Sequence, residues 1–437
     1  ALADELPVDG AEPDARARVL AVLGDQYLRD GQAEQAVAPL REAVELFTAA
    51  GLDYPAHELA VPQLRLAVAL ANSGDEATAD ALVDAVAADP YTLAVVRLQA
   101  LDLQARRARA NDDIAAAVQI AERALTAWIA TGEREGIVAA AELAAELLSA
   151  NDRDVDAAAR IRFAIREATL AELPTAWLRV ALARYELWSN RAADALETLE
   201  QLSDELSDET PDDFLAMLRY WQGEAAIAEG EPGLAYSAWS AAVAHAGKAP
   251  ETASLESRAA LRLGELLQGY GDSDAIGAFR TALDAARRDG DLGATVRAQH
   301  GLGRVLAMAG DESGLTELDA VHAVALEQGA DWLAADVTDS RGRALADLGR
   351  FDDAIPVLEA AAAAFAALGD ADSVVGSHLT AAHTLRRADR ASDAVEHYRR
   401  ALAAATERPL AIEEEFAELL DGLGQSDAAA AVRAGAV

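Results

Sequence analysis

Cysteine is absent from the 437 residues, which removes disulfides, cysteine-based zinc centres and thiol nucleophiles from consideration. Lysine occurs once, at Lys248, and we read that scarcity as a bias of genome composition. Basic side chains number 37 against 75 acidic ones, a formal net charge of −38. A chain so poor in positive charge lacks the footprint of a nucleic-acid-binding protein, and anionic membrane surfaces repel it. No direct nucleic-acid binding is therefore expected. The longest purely apolar run is Ala360–Leu368, well short of the ~18 residues of a membrane span, so no membrane insertion is expected either. Ala1-Leu2-Ala3-Asp4-Glu5-Leu6 has neither the basic nor the apolar region of a secretory signal. The expected location is cytoplasmic. The sequence does not open on Met, so we read it as processed or as part of something longer.

Aromatic residues make up only 5% of the chain, whereas alanine supplies roughly a quarter of it. Alanine is the best helix former and is depleted in strands, so the chain reads as helical. Candidate turn residues then recur along it: Gly31, Gly74, Asp112, Asp152, Asn190, Gly230, Gly271, Gly310, Gly349, Asp389 and Gly424. Their spacings lie between 35 and 43 residues. Each is Gly, Asn or Asp, the residues that tolerate the left-handed conformation that ends a helix.

Two further columns keep the same period. Seven residues before each turn stands Gly or Ala, among them Gly24, Ala105, Ala183, Gly223, Gly303 and Gly342. Five residues after it stands Ala in nine copies, with Ala275 one residue early in the seventh and Leu315 in the eighth. Bulky residues follow four positions on, as at Leu40, Ile161, Leu199, Trp239, Phe279, Leu358 and Tyr398. Small ones return after three more, as at Ala43, Ala164, Ala242 and Ala401. A step of four then three marks one face of a helix. Each period therefore reads as helix A, turn, helix B, the small columns letting the helices approach closely. In the eighth copy Asp319 and His322 fall in apolar columns, which predicts a second helix shifted by one residue or one that faces a partner.

These columns resemble the tetratricopeptide repeat (TPR): small at position 8, Gly near 15, Ala at 20, bulky at 24, Ala at 27. Good copies are Gly24…Gly31…Ala36…Leu40…Ala43 and Gly342…Gly349…Ala354…Leu358…Ala361. The period of about 40 exceeds the 34 of the commonest form. Connectors such as Ala49-Ala50-Gly51-Leu52-Asp53 and Leu368-Gly369-Asp370 absorb the difference. The resemblance implies an all-α fold, a right-handed superhelical solenoid of about eleven antiparallel helix–turn–helix repeats. We assign residues 15–437 to a single such solenoid, closed by a short capping hairpin at about 411–435. Residues 1–14 form an N-terminal segment expected to be poorly ordered. The acidic stretch Leu202–Asp213 reads as a long surface loop.

Catalytic signatures are missing. Gly301-Leu302-Gly303-Arg304 begins like a phosphate loop, but Gly303 occupies the helix-crossing column. The seven histidines, at 57, 245, 300, 322, 378, 383 and 397, form no metal-ligand pair at i,i+4 spacing. Glu413-Glu414-Glu415 reads as a solvated helix start, where carboxylates suit the helix dipole. We expect no catalytic residue, cofactor or metal.

The resemblance also implies that A helices line an inner groove, with repeat positions 2, 5, 9 and 12 facing it. In the eighth to tenth copies this places Arg297, His300, Arg304, Arg343, His383 and Arg386 there, interrupted by Asp336 and Asp339. Arg106, Arg109 and Arg184 continue a basic line in the third to fifth copies, opposed by Glu142 and Glu146. Guanidinium forks suit carboxylates and phosphates, so the groove reads as a dock for an acidic protein or peptide. Neighbouring acids could equally pair with these arginines on a solvated face. Trp177 and Tyr220, with Trp188 and Trp221, stand on A helices as possible interface anchors, or as packing within the array. Trp128 and Trp239 read as core. The leading expectation is a non-enzymatic scaffold that binds a protein or peptide partner. A regulatory sensor module that responds to a peptide or small ligand is the alternative, and an enzyme with a site built across repeats is a third.

Overall fold

The computed structural model describes residues 13–49, 56–89, 92–207 and 209–435. Most of the segment 1–14 and most of the connector at 49–53 lie outside the described residues. Among the described residues every regular element is helical. The chain divides into two compact units, Ala1–Leu206 and Ser207–Val437.

The first unit contains α1 (Pro13–Arg29), α2 (Ala33–Ala49), α3 (Ala56–Asn72), α4 (Glu76–Ala88), α5 (Ala94–Ala110), α6 (Ile114–Thr131), α7 (Arg134–Ser149), α8 (Asp154–Leu170), α9 (Ala176–Trp188) and α10 (Ala192–Asp204). The second contains α11 (Asp212–Ala228), α12 (Pro232–Ala246), α13 (Ala253–Gly269), α14 (Ala275–Asp289), α15 (Leu292–Met308), α16 (Ser313–Glu327), α17 (Asp331–Asp347), α18 (Phe351–Leu368), α19 (Ala371–Arg387), α20 (Ala391–Ala404), α21 (Leu410–Gly422) and α22 (Ser426–Arg433). The acidic loop is shorter than expected, because α10 runs on to Asp204 and α11 begins at Asp212. The boundary between the units falls in what remains of it.

Within each unit the helices pack serially, odd with the next even and even with the next odd. All eleven expected turn residues have positive φ, from 55° at Asp152 to 90° at Gly74. At Gly349 the closure is explicit: its N–H donates to the Ala346 carbonyl at 3.1 Å, and the Arg350 N–H to the Leu345 carbonyl at 2.8 Å. Two orphan carbonyls at the helix end are thereby satisfied.

The small column at position 8 has a direct steric cause. A Cβ on Gly24 would lie 2.7 Å from Leu40 Cδ2, and one on Gly342 2.6 Å from Leu358 Cδ2. Each glycine is thus the seat of the bulky residue on its own B helix. Gly301 differs, since it seats the Phe279 ring of the preceding hairpin, with a Cβ 2.6 Å from Cζ. Both glycines of Gly301-Leu302-Gly303 therefore serve packing in the middle of α15, and no phosphate loop exists there. Trp128 and Trp239 are core, at 5% and 3% exposure.

The eighth hairpin resolves as a one-residue shift. Its second helix, α16, buries Gly314, Leu318, Val321 and Ala325, the same spacing one position early, and Asp319 stays exposed. The seventh is shifted in the same way, with Ala275, Phe279, Ala282 and Ala286 buried on α14.

Odd-numbered helices of successive hairpins also touch, as α1 with α3, α3 with α5 and α5 with α7, and likewise from α11 through α19. Even-numbered helices do not approach one another comparably. Each unit therefore curves with its A helices on the tighter side, where their polar residues share a face.

Candidate functional site

The A-helix face of the second unit is richest in function-bearing groups on α15, α17 and α19. His300 on α15 is half-buried, with Nε2 2.8 Å from Ser340 Oγ and Nδ1 3.7 Å from Asp336 Oδ2. Burial holds its imidazole below the ordinary value, against the pull of Asp336. The Asp336 carboxyl is pushed up by burial and by Asp339, against His300, Arg304 and Arg343. On α17, Arg343 Nε donates to Asp339 Oδ2 at 2.6 Å, and Ser377 Oγ of α19 donates to Asp339 Oδ1 at 2.7 Å. Asp339 is only 7% exposed, so this carboxylate is buried but fully engaged.

His383 and Arg386, on α19, converge on one carboxylate. His383 Nε2 lies 2.9 Å from Glu415 Oε1, and Arg386 Nη1 and Tyr398 Oη donate to the same oxygen at 2.6 and 2.7 Å. Burial alone would raise the Glu415 carboxyl, but Tyr398, His383 and Arg386 together outweigh it and hold it below its usual range. Burial and Glu415 push the Tyr398 hydroxyl up to about 12. Glu413-Glu414-Glu415 is therefore no simple solvated start: Glu413 is buried and binds Arg408 Nε at 2.9 Å. Arg297 and Arg304 behave differently from the rest of the set. Both are exposed and neither forms an ion pair with a described residue. Arg304, Arg343 and His383 line one cleft of about 290 Å³, together with Ser340, Thr380 and Arg387. Arg297, His300 and Arg386 do not line it.

Tyr220, expected to meet a partner, is a packing residue. Its ring is 5% exposed and stands edge-on to Trp221, with the Arg258 guanidinium 4.6 Å from its centre. Arg258 Nη2 donates to its hydroxyl at 3.1 Å. Trp177 on α9 keeps 54% of its surface open.

The first unit carries a larger cavity, about 680 Å³, on its own A-helix face. Arg106 and Arg109 come from α5, Glu142, Leu143 and Glu146 from α7, and Arg184, Tyr185 and Trp188 from α9. Arg109 pairs with Glu146. Arg184 Nη2 donates to Tyr185 Oη at 3.1 Å, and its guanidinium sits 5.0 and 5.1 Å from the Tyr185 and Trp188 ring centres. The Arg184 Nε is buried without an acceptor. Burial pushes the Glu142 carboxyl up, and no donor or cation pairs with it among the described residues. Asp102 of α5 was not singled out by its sequence position. Burial pushes its carboxyl up to about 6, against the Trp128 indole and Arg106, and its Oδ1 lacks a partner.

Among the described residues no group of three or more His, Cys, Asp or Glu side chains could hold a metal ion. No helix among them is long and apolar enough to cross a membrane.

No protein-family model matches the chain, and no curated protein matches it in sequence. Solved structures do share its fold. The apo form of RapI is 12% identical, with a TM-score of 0.56 over 86% of this chain and 98% of that one. The apo quorum sensor NprR from B. thuringiensis is 12% identical, with a TM-score of 0.51 over 79% and 97%. A signal transduction ATPase with numerous domains from Pyrococcus horikoshii, which carries a tetratricopeptide repeat sensor, is 12% identical with a TM-score of 0.52. That match covers 98% of this chain and 62% of the other. The fold is thus an all-α solenoid of TPR type.

Proposed function

We propose that the chain is a non-enzymatic, cytoplasmic binding module that takes an acidic protein or peptide on the A-helix face of its second unit. Arg297, His300, Arg304, Arg343, His383 and Arg386 are the proposed contacts there, and Trp177, 54% exposed, is a further proposed contact on the first unit. One observation carries the reading. Arg304 is exposed and forms no ion pair with a described residue in a chain of net charge −38, and it lines a cleft whose other basic groups are already fixed by neighbours. A fixed frame with one open guanidinium favours bidentate capture of a carboxylate.

Fluorescence anisotropy with a labelled Asp/Glu-rich peptide tests it. Arg304→Glu should weaken binding at least about tenfold, or 1.4 kcal/mol, and affinity should fall steeply with salt. The double change Arg304→Glu with Arg343→Glu should abolish binding. Because it also places a second carboxylate beside buried Asp339, its melting curve must be recorded alongside. Unchanged affinity in the single variant removes the proposal.

A second reading, a sensor module, draws on the fold shared with the quorum sensor NprR and with the ATPase that carries a repeat sensor. A ligand-dependent change in melting temperature or scattering profile would support it.

A further inference from the structure

We propose that the cavity among α5, α7 and α9 is a separate site for a small zwitterion, a free α-amino acid or a short peptide with both ends uncapped. It lies wholly within the first unit and does not depend on the acidic-partner reading.

The volume, about 680 Å³, sits inside the range of roughly 300–1,000 Å³ typical of small-ligand sites. Charge alternates across its walls by helix: Arg106 and Arg109 on α5, Glu142 and Glu146 on α7, Arg184 on α9. Arg109 and Glu146 neutralise each other. Among the described residues Arg184 has no ion pair, Arg106 has the Asp102 carboxylate of its own helix nearby but pairs with no acid across the cavity, and Glu142 has no cation. A simple anion would leave Glu142 stranded beside it, and a simple cation would face the unneutralised Arg184 guanidinium. A dipolar ligand satisfies both, since its carboxylate meets the arginines and its ammonium meets Glu142.

Preorganisation points the same way. Arg184 is fixed by two aromatic faces and the Tyr185 hydroxyl, so little rotamer freedom is lost when it binds. Desolvation raises the Glu142 carboxyl, and an adjacent ammonium would reverse that shift. Leu143, Ile161, Ala139 and Ala181 supply an apolar wall for the rest of the ligand.

Isothermal titration calorimetry of the full chain decides it, with four probes. Two are an equimolar pool of the twenty amino acids and a pool of random tripeptides with free ends. The others are the same tripeptides N-acetylated or C-amidated. At least one free-ended pool should bind, and which one identifies the source. If the tripeptides bind, either cap should weaken them at least tenfold. Glu142→Gln and Arg184→Met should each cost at least tenfold against the pool that binds. If Arg184→Met lowers the melting temperature, Arg106→Met takes its place as the charge-removing variant. Failure of both free-ended pools, equal binding of capped and free tripeptides, or wild-type affinity in Glu142→Gln overturns the proposal.

Discussion

A Cβ on Gly303 would stand 3.0 Å from the carbonyl oxygen of Gly314, so α15 and α16 meet backbone to backbone at a glycine pair. A Cβ on Gly314 would also reach within 2.8 Å of the Ala307 amide nitrogen. Backbone cannot swing aside as a flexible side chain can. Gly314→Ala should therefore destabilise the second unit by about 1–3 kcal/mol, the usual cost of overpacking. Gly277→Ala, with nothing within 4 Å of its Cβ position and helical backbone, should be neutral or slightly stabilising. Urea melts of the two variants check the contrast.

Asn190 turns α9 into α10 at φ 59°. A non-glycine residue there carries part of the left-handed penalty. Asn190→Gly should gain up to about 1 kcal/mol, and Asn190→Val should lose about 1–2, since a β-branched residue fits that region worst. Equal melting temperatures for the two variants would contradict the assignment.

The Asp102 carboxyl, raised to about 6 by burial, makes the first unit lose stability as pH rises from about 4 to about 6. Between the unfolded value near 4 and the folded value the native state holds a proton that the unfolded chain releases. Stability from this group is complete at low pH and is lost as pH rises through about 6. Asp102→Asn should therefore stabilise by about 1–2 kcal/mol at pH 7.5, allowing for solvent screening. Near pH 4 it should do nothing. A gain of equal size at both pH values would point to packing instead.

His378 and His397 work in the opposite direction. Their rings lie 5.6 Å apart between α19 and α20, and both Nδ1 atoms are buried without partners. Burial holds both below the ordinary histidine value. Arg400 adds to that for each, His397 adds to it for His378, and Glu359 and Glu396 oppose it for both. Below about pH 6.5 the unfolded chain binds protons that these rings refuse. Stability is thus complete above that pH and falls as pH drops. Calorimetric melts between pH 7.5 and 5.5 should show the slope, and His378→Gln with His397→Leu should flatten it.

Legibility of the fold came from steric rules that act locally. Only a few residue types sit at positive φ, and only Gly or Ala fits beneath a bulky neighbour on an adjacent helix, so Gly349 and Gly342 betray a turn and a crossing by their identity alone. The one-residue shift of the eighth hairpin was visible as Asp319 and His322 out of column, but choosing between a shift and a partner-facing surface needed the buried stripe from Gly314 to Ala325. The candidate sites were less legible. A groove position tells that a side chain faces a neighbour, not which one: Tyr220 proved buried against Trp221, and Glu415, 29 residues from Arg386, proved to be its acceptor.

From sequence alone came the helical class, the turn positions and the column of small residues, because backbone conformation and close packing restrict residue type at single positions. Tertiary structure decided which arginines are already spent on carboxylates and which stay open. That outcome depends on side chains from successive A helices, some forty residues apart in the chain. Neither the separation of two charges nor their desolvation is written in any local pattern.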